Sequence, residues 1–342
     1  MNARLKIFSA CLPQPLAACA AVLGDRVLRL QDEPAAILKA LYRCGQVEVT
    51  TANAGCRARV AADIGKLCLG PGGSGYLTQA EGLLTLQLRH WRTVLAVVAP
   101  VAEVPARSLL FFDDHGELVQ QVTVTCAGFA FEELVCAMLH PEQHSLPLPS
   151  PALQGEAMSV DLCALEKDWA SACDDDCFAR MLRDHGVRRG TAMRLVRDSY
   201  ALAVQPESAI SLLGMVAERG TPVSLTVPGA ASQQRLYGRL CPLLWQQGAL
   251  TFAVGNASLT LSPGALQHAW RVRRRSDHGI RTSVELYDAC DELVLAIADA
   301  DPLQDQDSVR WCNLLCDALL PQRGLTGQPV AQRLVPSATV LQ

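Results

Sequence analysis

The phrase FFDDHGELV at 111–119 returns as LYDACDELV at 286–294. This echo constrains the fold more than any other feature, because a duplicated unit must build the same local structure twice. Gly45 and Gly220 lie 175 residues apart, Leu67 and Leu240 173, Trp91 and Trp270 179, and Glu117 and Glu292 175. Register held across four landmarks marks a repeat. Two copies of such length fit neither a solenoid nor a propeller.

Each copy reads as helices followed by a meander of mostly antiparallel strands. AAILKALYRCGQVEVT answers AISLLGMVAERGTPVSLT: an amphipathic helix, a terminating Gly45 or Gly220, then a strand from Val47 or Val223. Glycine suits a helix C-terminus, where left-handed backbone is cheap only without a Cβ. Further on, LLTLQLRHW and ASLTLSPGALQHAW show the period-2 alternation of half-buried strands, closed by Trp91 and Trp270. DDHG and DACD form the turns between neighbouring strands. The fold class is therefore α+β, with two tandem repeats. HPEQHSLPLPSPALQGEAMS, rich in proline, separates them. The division is a first repeat at 1–139, a linker at 140–158, a second repeat at 159–320 and a tail at 321–342.

Half of the 342 residues are apolar, enough for a sizeable core. A net charge of −4 argues against nucleic acid as a partner, since phosphate binding needs a basic face. Fourteen cysteines scattered through a chain of this size point to reduced thiols in the cytoplasm, not to a disulfide framework. Two basic residues and an apolar stretch at the start have the outline of a signal peptide. Pro13, Gln14 and Pro15 break it, so residues 16 to 24 read as a small-residue helix. No run approaches the roughly 18 apolar residues of a membrane span.

WASACDDDCFARMLRDHGVRRGTAMRLV at 169–196 and AWRVRRRSDHGIRTSVELYDACDELV at 269–294 resemble the duplicated bacterial hemin-transport and hemin-degrading proteins of the HemS/HmuS/ChuS type. The resemblance runs from about residue 30 to 318. It implies two similar halves, each a large mostly antiparallel sheet with helices, and a heme held by the C-terminal half near the junction. It also implies an iron-ligating histidine early on the first helix of the second half, at the position of Asp176. An arginine expected in the first half falls at Thr85, and a tyrosine and arginine expected late fall at about Ala298 and Asp301. A lysine keeps its charge as Arg274. The chain is thus identified as a divergent member, with Asp176, Cys177 and Arg274 at the cofactor positions.

Carboxylate is not among the usual axial ligands of heme iron. The acidic run 174–176 instead suits a helix N-terminus, with Asp176 one turn from Arg180. Cys177 offers a thiolate, which binds heme iron well. Its aspartate neighbours oppose ionisation, and its spacing to Met181 fits a core position. Cys173 and Cys177, like Cys312 and Cys316, are spaced i, i+4 without a histidine nearby, so no metal site is expected. His185 precedes Gly186 and reads as a helix C-cap. His90 and His268, beside the tryptophans, are the other histidines available to iron.

GPGGSG at 70–75 lacks a P-loop ending, and DADPLQDQD at 299–307 lacks the glycine of a calcium loop. The basic run Arg271, Arg273, Arg274 and Arg275 is sharper. On a strand, Arg274 points away from the other three, toward an acidic small molecule such as one bearing heme propionates. Three functions follow: a cytoplasmic heme-handling protein of iron acquisition with altered ligands, which binds heme or passes it to a heme-uptake or heme-oxygenase partner; a degenerate, non-heme binding or regulatory protein; and an oxidative heme-degrading enzyme. No catalytic residue is assigned.

Overall fold

The computed structural model describes residues 16–126, 128–148, 150, 160–276, 279–300 and 305–319. The start of the chain to residue 15, most of the linker from 149 on, part of the 299–307 loop including Asp301, and the 321–342 tail lie outside the described residues. The helices are α1 (Leu16–Cys19), α2 (Pro34–Ala40), α3 (Ala130–Ala137), α4 (Leu162–Trp169), α5 (Asp175–Asp184), α6 (Arg189–Leu195), α7 (Pro206–Arg219) and α8 (Asp305–Ala318). The first nine strands are β1 (Val27–Arg29), β2 (Gln46–Ala52), β3 (Cys56–Asp63), β4 (Leu67–Leu69), β5 (Ser74–Gln79), β6 (Gly82–Gln87), β7 (Trp91–Val97), β8 (Ser108–Asp113) and β9 (Leu118–Val124). The second nine are β10 (Ala201–Val204), β11 (Val223–Pro228), β12 (Ser232–Gly238), β13 (Leu244–Gln246), β14 (Ala249–Val254), β15 (Ala257–Leu261), β16 (His268–Ser276), β17 (Gly279–Tyr287) and β18 (Leu293–Asp299).

The chain forms two compact units, one of residues 1–155 with 224–265 and the other of 156–223 with 266–342. The expected cut at 140–158 does not account for residues 224–265, and strand exchange is the reason they join the first unit. There the sheet runs β1-β7-β8-β9-β2-β3-β15-β14-β13, so the late strands β15 to β13 continue from β3 of the first copy. Reciprocally, β6 and its neighbours β5 and β4 pair onto β12 of the second copy. Two equivalent three-stranded meanders have changed places.

Successive side chains of a strand point to opposite faces, and the first unit accordingly has two apolar clusters. Val94, Leu109 and Phe111 join one, with Trp91, Ile37 and Phe131. Leu95, Leu110 and Phe112 join the other, under Leu16 and Cys19 of α1. The second unit repeats the strand order as β10-β16-β17-β18. Its cluster gathers Trp169, Phe178, Met181 and Met193 from α4 to α6 against Val272 and Tyr287. The β7–β8 and β8–β9 ladders of the first unit and the β10–β16, β16–β17 and β17–β18 ladders of the second are antiparallel, as the meander reading requires.

The echoed phrase builds the same turn twice. Asp113 Oδ1 accepts from the backbone N–H of His115 and Glu117, each at 2.9 Å. Asp288 Oδ1 accepts from Cys290 and Glu292 at 2.8 and 2.9 Å. Gly45 and Gly220 close their helical segments with φ of 69° and 58°. The tryptophans behave differently from expectation: Trp91 opens β7 and Trp270 lies inside β16. Trp91 stands opposite Asp113 and Trp270 opposite Glu285, so they are not counterparts; Leu95, opposite Leu110, occupies the place of Trp270.

Candidate functional site

The second unit assembles its polar groups around one ring. Asp174 caps α5, and the apolar side of that helix buries Phe178 against Trp169, ring centroids 4.7 Å apart in a T-shaped arrangement. Two guanidinium groups also meet the Phe178 ring, Arg274 at 4.7 Å and Arg189 at 5.1 Å. Cations over an aromatic face are attracted by its quadrupole. The Trp169 indole is fixed by donating to the Arg273 carbonyl at 3.0 Å.

Each arginine has its own carboxylate. Arg189 donates to both oxygens of Glu285, at 2.9 and 2.6 Å, and Tyr287 donates its hydroxyl to the same carboxylate at 2.6 Å. The Glu285 side chain is fully buried. Burial alone would push its carboxyl up, but Arg189, aided by Arg274 and Tyr287, holds it below the ordinary value. Burial and then Glu285 push the Tyr287 phenol well above its own. Arg274 pairs with Asp175 at 2.8 Å and is largely buried.

Beside this cluster lies a cavity of about 480 Å³, within the range of small-molecule sites. Trp169, Tyr200 and Ile280 give it apolar walls, and Arg273, Arg274 and Arg275 of β16 border it. Tyr200 is held in place by its main chain, which donates to the Arg197 carbonyl and accepts from the Arg273 N–H. The Arg197 guanidinium lies 5.6 Å from its ring. Such walls suit a flat, largely apolar ligand that carries carboxylates.

Of the three cofactor positions read from the sequence, Arg274 lines the cavity, but its charge is already matched by Asp175. Arg273 and Arg275, on the opposite face of the strand, are exposed at the cavity and form no ion pair among the described residues. Asp176 is exposed in the first turn of α5 and makes no ion pair with Arg180. Cys177 is half-buried beside Asp174, which through a hydrogen bond pushes its thiol up. Neither is among the cavity-lining residues.

The other positions fall elsewhere. Thr85 is exposed on β6, and Ala298 is buried in β18. His185 ends α5 and contacts Asp168 at 2.9 Å, His90 contacts Arg89, and His268 lies 4.0 Å from Asp291. Tyr200 escaped the sequence reading because it stands just ahead of β10, outside every repeated phrase. The one available signal was its place beside Arg197, in a segment already resembling a heme protein.

A family model for the haemin-degrading HemS/ChuX domain matches residues 14–129 and 186–317. The hemin transport protein HmuS of Yersinia pestis is 25% identical over 272 residues, 78% of either chain. Among solved structures, holo-PhuS, a heme-binding protein from Pseudomonas aeruginosa, superposes with a TM-score of 0.79 at 28% identity, covering 88% of this chain and 89% of that one. ChuS, an E. coli heme oxygenase, gives a TM-score of 0.78 at 21% identity over 89% and 92%, a likeness of fold.

Proposed function

The chain belongs to the haemin-degrading HemS/ChuX domain family, and from that premise we propose that it is a heme-handling protein of hemin utilisation that works with altered ligands. The cavity of the second unit carries this reading: aromatic walls for a macrocycle, with the Arg273 and Arg275 guanidinium groups, which form no ion pair among the described residues, for its propionates. Arg273 and Arg275 take the carboxylates, since planar guanidinium forks match carboxylate geometry. Arg274 remains with Asp175 and stiffens the wall from behind.

Heme would supply redox and ligand-binding chemistry at its iron, and the chain would supply its orientation and a ligand to the iron. Of the residues named around the cavity, Tyr200 alone has a side chain of a type that ligates heme iron. We assign the altered ligand to it in place of Asp176 or Cys177. A cytoplasmic setting accords with the free thiols of the described cysteines, and transfer to a heme-uptake or heme-oxygenase partner accords with the kinship to a transport protein.

Absorbance titration of the reduced protein with hemin tests the proposal. The expected result is a saturable Soret change. Arg273→Ser and Arg275→Ser should each weaken binding about tenfold, the value of one charge-assisted contact of roughly 1.5 kcal/mol. Tyr200→Phe should retain the fold and lose the tyrosinate signature of ferric iron. Saturation in Asp176→His alone would instead favour a degenerate protein that has kept the pocket.

A further inference from the structure

Three donor atoms at the start of α5 are arranged in a way that their spacing in sequence did not reveal. The backbone brings Cys173, just outside the helix, and Cys177, in its first turn, to the same carboxylate oxygen. Asp174 Oδ2 lies 3.3 Å from Cys177 Sγ and 3.9 Å from Cys173 Sγ. All three atoms lie within 4.8 Å of one another, and no other set of three such donors is this close among the described residues.

These separations match a coordination sphere. Tetrahedral zinc, with Zn–S near 2.3 Å and Zn–O near 2.1 Å, places sulfur and oxygen about 3.6 Å apart and two sulfurs about 3.8 Å apart. The observed sulfur–oxygen distances fall on either side of that value. The carboxylate is also oriented by the fold: its other oxygen, Oδ1, accepts the Cys177 N–H at 2.6 Å as the helix cap. Oδ2 is thereby left facing the sulfurs. Metal sites use this outer-shell anchoring to fix a ligand. Both cysteines are half-buried and Asp174 is exposed, so an ion can enter from solvent.

We propose that Cys173, Asp174 and Cys177 form a binding site for one thiophilic divalent cation of the zinc class, with water in the fourth position. This site stands apart from the heme reading and does not depend on it. Binding replaces the two thiol protons: the cation gains two thiolates and one carboxylate, and two protons pass to solvent. The nearby negative charges of Asp175 and Asp176 favour the cation. Two sulfur ligands select zinc or cadmium over magnesium or calcium.

The test is a titration of the reduced full chain with Co²⁺ and Cd²⁺, followed by thiolate-to-metal charge-transfer absorbance, with Zn²⁺ as competitor and proton release measured in parallel. The wild type should show a first tight equivalent of either ion, with Co²⁺ released by Zn²⁺ and two protons lost per ion. Cys173→Ser and Cys177→Ser should each abolish that equivalent. Asp174→Asn, which can still cap the helix, should weaken it at least tenfold. Cys163→Ser, at an exposed thiol on α4, should leave it intact. A tight equivalent that survives both cysteine substitutions overturns the site, as does an Asp174→Asn protein that binds as tightly as wild type or a wild type with no saturable band.

Discussion

β8 of the first unit and β17 of the second are counterparts in the repeat, yet they line different interiors. Leu110 and Phe112 face the cluster that includes Leu16 and Cys19 of α1, an apolar interior. The residues 175 positions later are Glu285 and Tyr287, which face the cluster formed with α4, α5 and α6. A strand that closes a plain core in one copy carries a buried ion pair in the other. Duplication supplied the frame twice; in the second copy α6 holds Arg189 against Glu285, and a cavity lies beside them.

The largest effect should come from removing one member of that pair. Arg189→Met leaves a buried carboxylate unmatched and should cost about 3–5 kcal/mol in urea unfolding. Arg189→Met with Glu285→Leu, which restores the apolar chemistry of the first copy, should return stability to wild type or above. A double variant as unstable as the single one would mean that the second unit cannot accept an apolar version of this strand.

Acid should separate the units less sharply. The Glu285 carboxyl sits below its ordinary value of 4.5 in the folded protein. Its contribution is therefore complete above the unfolded value and lost as pH falls through the folded one. Unfolding midpoints measured below about pH 4.5 should drop faster for wild type than for the Arg189→Met, Glu285→Leu protein. Parallel curves would show that the pair gives no acid sensitivity.

The smallest effect lies in the turns. Gly116 and Asp291 occupy the same place with φ of 77° and 63°. Asp291 offsets its left-handed backbone through an ion pair with Arg194, one that is partly exposed. Asp291→Gly relieves roughly 1–2 kcal/mol of backbone cost and gives up a contact worth about 0–1 kcal/mol. Thermal unfolding should therefore show a change within about 1 kcal/mol, on the stabilising side.

The turns and helix ends were legible because local chemistry dictates them: an aspartate that accepts two backbone N–H groups, and a glycine with left-handed φ. The tryptophan match was misleading because an aromatic at a strand boundary and one inside a strand look alike in sequence, although register separates Trp91 from Trp270. Alternation correctly sent Arg274 away from Arg273 and Arg275. It could not show Asp175 waiting on that side, because the partner comes from a helix about a hundred residues earlier. Asp174 and its two thiols were hidden likewise, since i, i+4 spacing says nothing of where a capping carboxylate turns its second oxygen.

The exchanged meanders carry a consequence for how this chain exists at all. A cut anywhere in 140–158 would separate β3 from β15 and β6 from β12, the two seams on which the exchange rests. Neither fragment would own a finished sheet, and each would carry the three strands that complete the other's. The duplicated gene product has ceased to be divisible: what began as two copies survives as mutual halves, and a lesion in either meander is inherited by both.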